Sequence, residues 1–485
     1  MSLRSQALSG FRWTASVRLA SQVITWAITL VVIRLLTPAD YGLLAMATVF
    51  VTFVAVFSEV GLGAAVVQKA DVDERLLRRV FGVILVIHFS LAALLALAAP
   101  LIAAFYAEPR VVAVIRVLSL QFVLAAFAVV PDAQLQRRME FRNRSLLDLT
   151  GAIVGSFTTL AMAFAGAGVW ALVAGSLLSQ IWKTIGINWL SPFLRWPDFS
   201  VKGMRSLFTF GGHITAAGVF GMFAAQIDII ICAKLLGNEI LGSYSVAVHL
   251  ASLPSQKISA LVNQVAFPAF SNMQHDVRKV GENVLLGIRI LSFFAFPVSW
   301  GMSSIAPEIV EVILGPKWTL SAVPLQVLAL IIPVRIIANF VGIAVQGLGR
   351  PDIVLRNTIW AAIVGPPLLL AGAYSGGLIG LSLAWLVVSP FLFLLVVMRS
   401  APVIGLRSRQ VFSAMIPAAG AGLIMYGAVI AARYILTDGQ GGALRMCVLI
   451  AVGALAYCAV SFGLNRKGTL VVLEMVRSIA MPKRA

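Results

Sequence analysis

The sequence predicts an all-α polytopic membrane protein of fourteen transmembrane helices, built as two pseudo-twofold related six-helix lobes plus a C-terminal helix pair. Three observations predict it. Of 485 residues, 60% are hydrophobic and only 12% charged, with mean hydropathy +0.97, whereas a soluble globule carries about a quarter charged residues. Apolar stretches of about 20 residues, enough for a helix to cross roughly 30 Å of hydrocarbon, recur from end to end without the alternation of a barrel strand. Lastly, Arg34-Leu35-Leu36 with Gly42 returns in register as Lys234-Leu235-Leu236 with Gly242, each time between two long apolar segments. Such a recurrence marks one unit made twice.

The first helix, 12–33, follows a polar lead-in with Arg4 and Arg12 that has no cleavage signal and stays in the mature chain. Helices at 42–67 and 80–105 are parted by a basic join from Lys69 to Arg79. Those at 112–130 and 146–165 are parted by Arg137, Arg138, Arg142 and Arg144. The break before 168–190 is Gly166-Ala167-Gly168, an uncharged turn that permits tight reversal. Helices 206–233 and 240–270 flank the second leucine hinge, and 285–305 and 322–347 follow. Ser375-Gly376-Gly377 splits 354–373 from 377–397, and 410–431 with 441–462 completes the set. The N-terminal lobe is then 1–195, the C-terminal lobe 196–400, and the appended pair and tail 401–485. A second echo, Arg142-Asn143 against Arg356-Asn357, supports the repeat if an insertion separates the two markers.

Charge gives the direction. With a cytoplasmic amino terminus, the inner joins and tails hold 26 lysines and arginines and the outer joins six: Arg34, Arg110, Lys234, Lys317, Arg433 and Arg445. That asymmetry places both termini in the cytoplasm and requires an even number of crossings. The net charge of +18 is therefore topological, and no zinc spacing, basic helix or aromatic-interleaved groove points to nucleic acid. Cys232, Cys447 and Cys458 form no CxxC pair, and His88, His213, His249 and His275 have no metal spacing. With no nucleotide loop and no catalytic set, the chain reads as a non-enzyme without metal or cofactor.

Polar residues inside the apolar segments carry the functional signal, because a charge at mid-bilayer costs several kcal/mol and should face protein or water. Arg18, Gln22, Thr25 and Thr29 share one helix face. Arg18 either pairs with Glu59, at similar depth, or snorkels to the inner headgroups. Helix 240–270 is the most polar, with His249, Gln256, Lys257, Asn263 and Gln264 beside Pro254 and Pro268. Helix 322–347 repeats the theme with Pro333, Arg335, Asn339, Gly342 and Gln346. Arg116 and Arg289 are shallower and can anchor headgroups. Among the acids, Asp148 lies near the start of its helix. Asp228 pairs with Lys234 if the helix end relaxes, or with Arg34 of the opposite lobe. Glu59 or Asp228 could couple transport to H+ or Na+, or merely neutralise a neighbouring base. The cationic excess of Arg18, Lys257 and Arg335 favours a phosphate or pyrophosphate head. The candidate substrate-binding set is Arg18, Gln22, Lys257, Gln264, Arg335 and Asn339, and the coupling or ion-pair set is Glu59, Asp228, Arg34 and Lys234.

At these residues the chain resembles the polysaccharide-export flippases of the multidrug/oligosaccharidyl-lipid/polysaccharide superfamily. The likeness rests on Arg34-Leu-Leu-Thr-Pro-Ala-Asp-Tyr-Gly42, Phe57-Ser-Glu-Val-Gly-Leu-Gly63, Val67-Gln-Lys69, Gln134-Leu-Gln-Arg-Arg-Met-Glu-Phe141, Gln226-Ile-Asp228, Lys234-Leu-Leu-Gly237 and Gln346-Gly-Leu-Gly-Arg350. It looks closest to the Wzx-like branch that exports colanic-acid-like or xanthan-like repeat units. The resemblance implies a bacterial inner-membrane protein with alternating access between two lobes. It implies transfer of an undecaprenyl-pyrophosphate-linked oligosaccharide to the periplasmic leaflet, among membrane lipids, by a monomeric unit working with a periplasmic polymerase. A drug or organic-cation antiporter of the same superfamily is the main rival reading, and would call for an acidic, aromatic cavity. A non-transporting scaffold of a polymer-export complex is the second, and leaves the mid-membrane bases without a role.

Overall fold

The computed structural model describes residue 22 and residues 24–58, 73–193, 195–200, 205–436 and 442–480. Among these every regular element is helical. The helices are α1 (Ile24–Leu35), α2 (Pro38–Ser58), α3 (Glu74–Tyr106), α4 (Val111–Ala126), α5 (Val129–Arg137), α6 (Phe141–Phe164), α7 (Val169–Leu190) and α8 (Arg205–Leu236). They continue as α9 (Asn238–Asn272), α10 (Val277–Ser304), α11 (Ala322–Gly347), α12 (Pro351–Ser400), α13 (Ser408–Ile435), α14 (Gly442–Leu464) and α15 (Arg466–Ala480). Short irregular turns occupy residues 306–321 between α10 and α11.

The expected fourteen crossings are corrected by this structure. Among the described residues nine helices are long and apolar enough to cross a membrane, or ten if the α4–α5 pair, bent by 44°, counts as one span. The physical reasons differ from helix to helix. The described part of α1 is only twelve residues long. Polar side chains such as Gln180 and Lys183 dilute α7, and those of the 240–270 stretch dilute α9. The expected crossings 354–373 and 377–397 both fall within Pro351–Ser400, which counts once by length and composition, although non-helical backbone at Gly376 and Gly377 parts it into two helices at the break the sequence predicts. The all-α polytopic membrane class itself stands. On α3, Leu94, Leu97 and Leu101 are exposed while Leu95, Ala99 and Ile102 are buried, so leucine covers the outward face as well as the inward one, as lipid requires and water does not.

The chain divides into two compact units, 1–242 and 243–485. In the first, α1, α6 and α7 enclose Ile28, Val32, Ala163 and Ala171, and α3, α4 and α5 enclose Ile84, Ala126 and Val130. The segment after α7 is tied back onto α3, with Arg79 on Asp198 at 3.0 Å and Arg195 on Glu74 at 2.9 Å. In the second unit α10, α11, α12 and α13 share a continuous apolar core around Val284, Ile288, Ile337, Val341 and Val397.

Two glycine features bear on the repeat. Gly168 ends the turn into α7 at φ 58°, ψ −134°, and Gly377 breaks α12 at φ 55°, ψ −134°, one conformation open in practice only to glycine. At both places the chain folds back closely. A Cβ on Gly155 would lie 2.7 Å from the Gly175 carbonyl oxygen, and one on Gly372 would lie 2.5 Å from that of Gly380. The leucine hinges meet reciprocally. Gly42 on α2 lies against the carbonyl oxygen of Asn238, and Gly242 on α9 against that of Pro38, so a side chain at either would overlap backbone. Pro38 sits at the first helical position, where its missing N–H costs nothing. The carboxylate of Asp40 accepts from the Thr37 hydroxyl at 2.6 Å and from the Thr37 amide at 3.0 Å, closing the turn into α2.

Candidate functional site

Within the second unit, α11 buries Ile332, Ile336, Ile337, Phe340 and Val341 against the core and leaves Arg335, Asn339 and Gln346 exposed. The spacing read from the sequence does gather these polar groups on one side of the helix. On α9, His249, Gln256 and Lys257 are likewise exposed, and a chain of bonds runs from Gln256 Nε2 to the Ser252 hydroxyl (2.9 Å) and from that hydroxyl to the His249 carbonyl (2.9 Å). Asn339 Nδ2 donates to Ser259 Oγ at 3.0 Å, joining α11 to α9 two residues beyond Lys257. Lys257 and Arg335 are thus exposed cations on two helices that the Asn339–Ser259 bond joins.

Arg335 is held in place. Its guanidinium carbon lies 4.8 Å from the centre of the Trp385 ring of α12, a cation–π contact that orients the group while leaving its donors available. Trp385 is itself pinned, its indole N–H donating to the buried Tyr244 hydroxyl at 3.1 Å. Sequence reasoning missed both aromatics. Fifty residues separate Trp385 from Arg335, and no periodicity connects them; only the fold-back of α12 does.

The other candidates divide. Arg18 and Glu59 lie outside the described residues, as does the side chain of Gln264. Gln22 is half-buried on the run leading into α1, and Thr29 on that helix donates to the Thr25 carbonyl at 2.8 Å. Asp228 is 6% exposed, and its Oδ1 accepts from the Ile229 amide at 2.9 Å. Lys234 donates to the Phe105 carbonyl at the end of α3 and sits 4.9 Å over the Phe105 ring, a favourable place for a cation because helix C-termini carry partial negative charge. Arg34 is exposed beside its hinge.

Next to Lys234 a second polar cluster closes the same end of the first unit. Arg110 binds Glu108 through two contacts of 2.8 and 2.9 Å, and Asn238 Nδ2 donates to Glu108 Oε2 at 3.2 Å. The guanidinium holds the Glu108 carboxyl below its ordinary range and is itself raised in return. In the second unit the buried Glu308 receives Arg433 of α13 at 2.9 Å and Arg445 of α14 at 3.8 Å. The charge pattern assigns both arginines to outer joins, and Glu308 is the acid that joins them.

Comparison with known proteins adds the family. The family model described as "Polysaccharide biosynthesis protein" matches residues 31–323, more than half of the chain. The chain belongs to that family. This member of the polysaccharide biosynthesis protein family is 27% identical over 465 residues to the teichuronic acid biosynthesis protein TuaB of Bacillus subtilis, covering 94% of this chain and 95% of that protein. It is 22% identical over 415 residues to the lipopolysaccharide biosynthesis protein WzxC of Escherichia coli, covering 84% of each. Among solved structures, the lipid II flippase MurJ in an inward closed conformation superposes with a TM-score of 0.75 at 14% identity, covering 91% of this chain and 97% of that one. At that identity the likeness speaks for the fold. The family resemblance read from the motifs holds.

Proposed function

We propose that this family member is a flippase that moves an undecaprenyl-pyrophosphate-linked oligosaccharide repeat unit from the cytoplasmic to the periplasmic leaflet, for exopolysaccharide or lipopolysaccharide assembly. The observation that carries the proposal is the pair Lys257 and Arg335, exposed on the polar faces of two helices that Asn339 and Ser259 join. A polar face of this kind is costly in hydrocarbon and useful against an anionic head too polar to cross alone. Biosynthesis of teichuronic acid and of lipopolysaccharide, and transfer of lipid II, are named for the three relatives above, and each suits a chain that handles saccharide building blocks at a membrane.

In this reading Lys257 and Arg335 bind the pyrophosphate, Asn339 and Gln264 bind neighbouring oxygens, and Arg18 with Gln22 extends the basic surface. Alternating access exchanges the two sides as lobe 1–195 moves against lobe 196–400, with 401–485 appended, and a coupling H+ or Na+ acts at Asp228 or Glu59. The protein lies in the bacterial inner membrane with both termini cytoplasmic, works as a monomeric unit and delivers to a periplasmic polymerase. The test is transfer of lipid-linked oligosaccharide in vesicles reconstituted with the purified protein. Lys257→Glu and Arg335→Glu should each cut transfer about tenfold or more, the scale of one lost charge-assisted hydrogen bond. Undiminished transfer by either properly inserted variant would remove that residue from the mechanism.

A further inference from the structure

Away from Lys257 and Arg335, the second unit contains a cavity of about 450 Å³ where α10, α13 and the start of α15 meet. Its polar lining is Arg289 from α10, Ser413 from α13, and Asn465 and Arg466 at the junction of α14 with α15. Among the described residues that line it, two are positively charged and none is acidic. Asn465 is 5% exposed, and its side chain hydrogen-bonds that of Tyr457 on α14. Gly468 is bare against that amide, since a Cβ there would lie 2.6 Å from Asn465 Oδ1. Arg466 also opens the 15-residue α15, whose N-terminal amides add partial positive charge. Two guanidiniums at a polar cavity beside a helix start make a receptor for a phosphate group.

Position selects the source of that phosphate. The cavity sits where the apolar α14 ends at Leu464, and on α15 Leu470 and Leu473 are exposed while Thr469 is buried. A helix that turns leucines outward immediately after a membrane-crossing helix lies at the boundary between hydrocarbon and headgroups, the depth at which phospholipid phosphates reside. We infer that Arg289, Ser413, Asn465 and Arg466 form a binding site for the headgroup phosphate of an anionic phospholipid, distinct from the groups assigned to transport. The inference does not rest on the flippase reading, because its readout is lipid retention.

The full-length protein should be reconstituted in nanodiscs of phosphatidylcholine with a minor fraction of phosphatidylglycerol, and retained lipid measured by native mass spectrometry. The wild type should retain phosphatidylglycerol at least about tenfold over its share of the bilayer. Arg289→Gln with Arg466→Gln should abolish that enrichment, and Ser413→Trp, which fills the cavity and keeps both arginines, should do the same. Arg350→Gln, a surface arginine outside the cavity, should leave it unchanged. Equal enrichment in the wild type and either cavity variant would overturn the site. If millimolar inorganic phosphate in pure phosphatidylcholine raises the melting temperature as much as phosphatidylglycerol does, the site takes a soluble anion and the lipid assignment falls.

Discussion

Gly42 and Glu108 show how single residues govern this chain. At Gly42 the neighbour is the Asn238 backbone, which has no rotamer by which to withdraw. Gly42→Ala should therefore destabilise by about 1–3 kcal/mol, the cost of overpacking, and appear as a lower melting temperature in detergent; an unchanged transition would show that the helices separate at no cost. Glu108 supplies a pH dependence. Its folded carboxyl titrates below the unfolded one because Arg110 binds the ionised form, so its stabilisation is present at neutral pH and is lost as pH falls through the folded value, below the ordinary 4.5. The melting-temperature gap between wild type and Glu108→Gln should be open at pH 7 and narrow as pH falls below the ordinary 4.5; a gap unchanged by acid would contradict the assignment. The polar stripe of α11 was legible from spacing alone, since Arg335, Asn339 and Gln346 fall on one side of an apolar helix. The aromatic support of Arg335 was not, because a ring stacked from another helix leaves no trace in local periodicity.

At the scale of elements, glycine turns and charge hubs decide which helices pair. The matching conformations of Gly168 and Gly377 were foreshadowed by their uncharged, glycine-rich surroundings, and the structure makes both of them reversals. The number of membrane-crossing helices was less legible. Breaks at charges and glycines divide the sequence evenly, but the features that make α7 and α9 interesting, their polar side chains, also take them out of the apolar class. Glu308 joins the turns after α10 to both α13 and α14. Glu308→Gln leaves two arginines without their carboxylate and should cost on the order of 1–3 kcal/mol, the worth of a hydrogen bond to a charged group. Amide exchange in α14 should accelerate; exchange unchanged from wild type would mean the terminal pair is held by apolar packing alone.

For the molecule as a whole, basic residues set the proposed direction of insertion, and labelling can test it. In a background lacking Cys232, Cys447 and Cys458, Arg110→Cys should react with a membrane-impermeant maleimide added outside intact cells that have a permeable outer membrane. Arg407→Cys should react only after the inner membrane is opened. The reverse pattern would invert the topology. The crossing of the two leucine hinges has a mechanical consequence. Position 42 rests on 238 as 242 rests on 38, so each helix start is wedged by the glycine of the other. Neither α2 nor the start of α9 can slide along its partner without driving main chain into main chain, and the two behave as one rigid clasp.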